Sequence, residues 1–143
     1  MGTYTVFDHT ADLGLEVRGT SFEDLLATSA RATFDQMLED WPAAVDATQE
    51  VRVRPMSAFA GDRAELFVEW LQELLFRFET QHLVPMEYEF LEVGPREIRA
   101  DVGFGRFDPG RHRTRLEIKA VTYHNLDVRE DADGWYARFI LDI

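Results

Sequence analysis

From Pro85 onward the apolar residues fall at every second position, and that period excludes helix from the whole second half of the chain. Residues 87–93 and 97–102 predict a hairpin closed across Gly94-Pro95-Arg96, and residues 103–110, with three glycines and a proline, read as a turn-rich loop. Residues 113–120 and 126–130 predict two more strands, and Ala132-Asp133-Gly134 a turn into a last strand over residues 135–143.

Before Pro85 the period is mixed. Residues 4–7 and 13–19 predict two strands on either side of the polar stretch Asp8-His9-Thr10-Ala11-Asp12. Ser21 followed by Asp24 opens a helix in capping-box style, and its apolar stripe runs from Phe22 through Leu25, Leu26, Ala30 and Phe34 to Trp41, where Pro42 stops it. Val51 and Val53 mark a short strand closed by Pro55, with a loop over residues 56–61. Asp62 and Glu65 cap a second helix, whose stripe is Leu66, Phe67, Trp70, Leu71, Leu74, Leu75 and Phe78. Two amphipathic helices and seven or eight strands joined by tight turns predict an α+β fold. It is expected to be a two-layer domain, with a mostly antiparallel or mixed β-sheet and both helices on one face. With no internal repeat, low-complexity tract or long interior linker, residues 1–143 are expected to form a single domain.

Composition narrows the function. The formal charge of −12 argues against non-specific nucleic-acid binding and fits a cation or a basic protein partner. The chain has no cysteine, which removes disulfides, thiolate metal sites and cysteine nucleophiles. No apolar run approaches the ~18 residues of a membrane span, and the first residues do not resemble an export leader, so a cytoplasmic address is expected. Lys119 is the sole lysine among fifteen basic residues. It is explained equally by a need for a compact ammonium and by chance in an arginine-biased chain. Residues 106–119 hold five of the fifteen basic side chains against two acids. That local reversal of sign suits phosphates or an acidic face, although a solvated surface explains it more simply.

The polar stretch near the start and the end of the last strand carry the candidate chemistry. On residues 135–143, Tyr136, Arg138, Ile140 and Asp142 share one face, and a carboxylate ending an otherwise apolar strand needs a partner if it is desolvated. Asp12, Asp142 and a main-chain or terminal oxygen of Ile143 would form an open, all-oxygen site suited to a hard cation. On spacing alone the plainer alternative is favoured, with Asp142 a solvated residue and Asp12 the cap of a turn. His9 and His124 are each either an acid–base or contact group, or an ordinary turn histidine. HExxH, glycine-rich nucleotide loops and G-x-S-x-G are absent, and residues 131–134 fail as a calcium loop because Arg129 and Ile140 stand where ligands belong.

Five short motifs in order, spanning nearly the whole chain, resemble the archease family. They are Asp8-His9-Thr10-Ala11-Asp12-x-Gly14, Trp70-Leu71-x-x-Leu74-Leu75, Phe107-Asp108-x-x-x-His112, Glu117-x-Lys119-Ala120-Val121-Thr122-Tyr123-His124, and Leu141-Asp142-Ile143. The resemblance implies an accessory protein, not an enzyme, that assists a tRNA-splicing RNA ligase joining 3′-phosphate or cyclic-phosphate ends to 5′-hydroxyl ends. It implies that the protein promotes guanylylation of the ligase's active-site histidine and multiple turnover. It also implies a divalent cation, calcium with magnesium or manganese as alternatives, held at positions matching Asp12, Asp142 and Ile143. GTP and ligase-bound manganese would be met through the complex, RNA only indirectly and a membrane not at all. Asp8, His9, Lys119 and His124 are the expected contacts to partner or nucleotide. Two other classes compete: a free-standing metal-dependent phosphoester hydrolase, and a metal-independent chaperone-like adaptor.

Overall fold

A polar hairpin starts the chain and the last strand closes against it. The computed structural model describes residues 2–9, 12–55 and 63–143, and of Asp8 and His9 the backbone alone. The element order is β1 (Thr3–His9), β2 (Asp12–Gly19), α1 (Phe22–Met37), β3 (Ala47–Val53), α2 (Arg63–Gln81), β4 (Leu83–Val93), β5 (Ile98–Arg106), β6 (Ala120–Val121), β7 (Asp127–Asp131) and β8 (Gly134–Asp142). The expected α+β class holds, and every strand pair is antiparallel. The strands divide into two sheets, one in the order β1-β2-β8-β6 with β7 also on β8, the other β3-β5-β4. Each helix touches strands of both sheets. Side chains of both sheets and both helices, among them Leu15, Phe34, Val51, Trp70, Val102 and Phe139, pack into one buried cluster.

The register of β2 on β8 sets Leu15 opposite Phe139 and Val17 opposite Ala137, and all four are buried. Because side chains alternate along a strand, this pairing also decides which residues meet on the opposite face. At the other end of β2, a Cβ on Gly19 would lie 2.5 Å from the backbone nitrogen of Leu25, so the glycine lets the strand abut the first turn of α1. Ser21 caps that helix as expected, accepting the Asp24 N–H at 3.0 Å.

The structure corrects four expectations. Helix α1 stops at Met37, short of Trp41, because Leu38 turns extended and bridges Thr114. Residues 113–120 do not form a strand. They run as a strap whose backbone bonds the chain just after α1: the N–H groups of Glu39 and Asp40 reach the Arg113 carbonyl, and the Arg115 N–H reaches that of Met37. Alternation there reflects a segment with one side on the core, and only Ala120–Val121 pairs as β6. Third, Gly103 and Gly105 lie inside β5, not in a loop, because a Cβ on Gly105 would meet Pro42 at 2.6 Å and the Ala44 carbonyl at 2.8 Å. Finally, β4 begins at Leu83 and takes Pro85 into an edge strand at a bulge, where no ladder bond is needed from it. The Asp62 cap and residues 56–61 lie outside the described residues.

Two residues, His82 through its backbone and Gln72 through its side chain, close awkward ends. Helix α2 ends with His82 in the left-handed region (φ 56°), its N–H on the Phe78 carbonyl. Gln72 of α2 donates to the Val121 carbonyl at 3.3 Å and accepts the Val121 N–H at 3.4 Å, so its amide sits where a further strand would pair with β6.

The Tyr88 hydroxyl is buried with no hydrogen-bond partner among the described residues, and burial pushes its ionisation above the ordinary phenol range. Removing an unsatisfied buried hydroxyl relieves a desolvation cost, so Tyr88→Phe is expected to raise stability by about 1 kcal/mol in chemical denaturation. The folded-state value lies above the unfolded one. The stability linked to this group is therefore complete below pH about 10 and lost as the pH rises beyond it. Tyr88→Phe should flatten the alkaline limb of the stability–pH curve, and an unchanged limb would mean that the hydroxyl is hydrated.

Candidate metal centre

Strand register brings the two extremities together. His9 pairs with Asp12, Asp12 with Asp142, and Asp142 with Ala120, so one row crosses β1, β2, β8 and β6 at the same end of the first sheet. Directly opposed residues of an antiparallel pair share a face, with Cβ atoms ~4.5–5.5 Å apart. Asp12 and Asp142 thus present neighbouring carboxylates, Asp12 half-buried and Asp142 exposed, with the exposed Ile143 next in the chain. Like charges so placed repel, and that repulsion opposes the pairing.

Lys119 joins the same end through its backbone, its N–H donating to the Asp142 carbonyl at 2.8 Å. That bond fixes the last turn of the strap on β8 and leaves the Lys119 side chain exposed. His124 lies elsewhere, in the turn between β6 and β7. Its N–H donates to the Thr122 hydroxyl at 3.3 Å, and Thr122 in turn bonds the Ile140 carbonyl, two residues back from Asp142. Asp8 stands opposite Leu13, and the side chains of Asp8 and His9 lie outside the described residues, as do Thr10 and Ala11.

The next row on this face is Phe7, Gly14 and Ile140. The Phe7 ring lies over Gly14, where a Cβ would come within 2.2 Å of it, and the Arg138 guanidinium stacks on the same ring at 4.3 Å. Sequence reading saw Arg138 and Asp142 share a face but missed Phe7 as their neighbour, because that contact depends on the β1–β2 register. The motif histidine His112 is a turn cap, its Nδ1 accepting the Asp108 N–H at 2.8 Å.

The donor set can be tested against a cation. All groups on offer are oxygens, which suits calcium or magnesium and not a soft metal. Two carboxylates and a main-chain oxygen at an open sheet end leave most of a hard cation's shell to water or to another molecule. Among the described residues no group of three or more His, Asp or Glu is placed to hold a metal. The chemistry of this donor set suits an open site on a hard cation, in which water or another molecule supplies the remaining ligands.

The sequence profile of the Archease protein family matches residues 4–143. The chain belongs to the archease family. Protein archease of Methanopyrus kandleri is 36% identical over 139 residues, covering 95% of this chain and 96% of that protein. Protein archease of Methanosarcina acetivorans is 30% identical over 144 residues, covering 98% and 95%. The solution structure of Methanobacterium thermoautotrophicum protein 1598 superposes with a TM-score of 0.76 at 28% identity, covering 98% of each chain. The two structures therefore share their fold over 98% of each chain. Among the described residues no helix is long and apolar enough to cross a membrane.

Proposed function

We propose that this archease-family chain is an accessory protein of a tRNA-splicing RNA ligase, promoting guanylylation of the ligase's active-site histidine and so its repeated turnover. The observation that carries the reading is the opposition of Asp12 and Asp142 across β2 and β8. Two carboxylates held at an exposed sheet end, with few ligands of their own, suit a site completed by a second protein. A divalent cation bound there supplies positive charge that stabilises and orients a transferring phosphoryl group. Asp12 and Asp142 hold it, the Ile143 main-chain oxygen adds a ligand, and the Lys119 N–H keeps the Asp142 backbone in place. His9, on the same row, and the Lys119 ammonium serve as contacts to the partner or its nucleotide. The chemistry is the ligase's, and this chain has no catalytic residue of its own.

The test is a guanylylation assay of the ligase with and without this protein. Asp12→Ala and Asp142→Ala should each remove the stimulation, by at least about 10-fold in rate, with the circular dichroism spectrum unchanged. Stimulation equal to the parent in both variants would refute the cation role. Hydrolysis of phosphoesters by the isolated protein would favour an enzyme, and stimulation unaffected by a chelator would favour a plain adaptor.

A further inference from the structure

Lys119 borders two depressions. One, of about 450 Å³, has an apolar floor that includes Leu75, Phe78, Phe107 and Ile118, and Glu79 and Glu117 stand with Lys119 among its lining. The other, of about 330 Å³, runs along α2 past Glu69, Glu73 and Phe76, and shares Leu75, Glu79 and Lys119 with the first. Phe76 is 57% exposed, an aromatic ring on the face of a helix whose apolar stripe is otherwise inside. The side chains of Glu79, Glu117 and Lys119 make no hydrogen bond or ion pair among the described residues. Glu73 is paired with Arg77 at 2.8 Å, whereas the Glu69 carboxyl is held above the ordinary carboxylate range, first by partial burial and then by Glu65 and Glu73 on either side. This surface is continuous with the candidate metal centre, because the Lys119 N–H bonds Asp142.

We propose that the two depressions form one docking surface for a basic, partly apolar segment of the partner protein. An apolar side chain of that segment would fill the cleft over Phe78 and Phe107, and another would cover Phe76. Arginine or lysine side chains would reach Glu69, Glu79 and Glu117. The charges decide in favour of this occupant. The lining carries an excess of carboxylates in a chain of net charge −12, whereas an enzyme that handles RNA must present basic surface to it. The apolar floor supplies what charge alone cannot, since rim charges steer encounter while buried anchors hold the complex.

This inference rests on the accessory reading, and the experiment separates the two. Affinity for the ligase is measured with the full chain at low and high salt, for the parent, for the double variant Glu79→Lys/Glu117→Lys and for Phe76→Ser. The side chains of Glu79 and Glu117 make no hydrogen bond or ion pair among the described residues, Phe76 is mostly exposed, and matched thermal melts confirm the folds. Binding should weaken with salt, and both variants should bind at least about 10-fold more weakly. Their stimulation of guanylylation should return at high accessory concentration, which separates them from Asp12→Ala. Variants that bind like the parent would overturn the proposal. If the parent does not bind the ligase, the accessory reading fails, and a synthetic peptide of alternating arginine and leucine is the second probe. Amide shifts around Phe76, Phe78 and Phe107 on adding that peptide would uphold the docking surface. No shift, or shifts with guanosine monophosphate and not with the peptide, would overturn it.

Discussion

Replacing Trp70 with alanine is expected to cost about 3–5 kcal/mol, the range for deleting a large buried aromatic side chain. Trp70 is fully buried, its indole N–H donates to the Leu26 carbonyl of α1 at 3.1 Å, and its ring meets Tyr88 at 6.0 Å and Phe90 at 5.5 Å. One side chain of α2 thus ties α1 to an edge strand of the second sheet, and the void left by alanine would open where three elements meet. Against the roughly 5–15 kcal/mol that typically separates folded from unfolded domains, this is a large share. The midpoint of thermal unfolding should fall by roughly 10–20 °C for a chain of this size. Trp70→Phe keeps much of the ring packing, loses the N–H bond and should cost less than half as much. A loss under about 1 kcal/mol for Trp70→Ala in urea denaturation would show that the site collapses around the void.

The second large effect concerns the cation. A ligand that binds only the folded state stabilises it by RT ln(1 + [L]/Kd), about 2.7 kcal/mol at a hundredfold excess over Kd. Calcium should therefore raise the melting temperature by roughly 6–10 °C at that excess, and a chelator should reverse the shift. Asp142→Asn removes one of the two opposed charges, so it should match or exceed the stability of the parent in chelator while losing the response to calcium, and Asp12→Asn should lose that response as well. The signs of the two effects are opposite, which separates cation binding from general screening of a negative chain. A response to calcium that both variants retain would place the ion elsewhere.

Much of the fold was legible because period and punctuation agreed. The α2 stripe, the hairpin across Gly94-Pro95-Arg96 and the Ser21 cap are local, and each formed where local rules put it. The strand expected over residues 113–120 failed because alternation reports one buried side, and here that side is covered by a strap lying on the end of α1. The glycines of β5 misled for a similar reason. Gly105 answers to Pro42 and Ala44, some sixty residues away, and no local pattern carries that contact. The same limit held at the candidate site. Residue types alone left Asp12 and Asp142 as a turn cap and a solvated end, and their opposition is a product of the β2–β8 pairing.

That pairing has an implication for how such a site can change. The hydrogen-bond ladder that seats Leu15 against Phe139 in the interior is the one that sets Asp12 against Asp142 outside. A single-residue insertion or deletion within either strand would swap inside for outside along its length, exposing leucine and drawing an aspartate inward. The geometry of the two carboxylates is thus anchored to the buried core through Leu15 and Phe139, and point substitution is the route by which it can drift without turning the strands inside out.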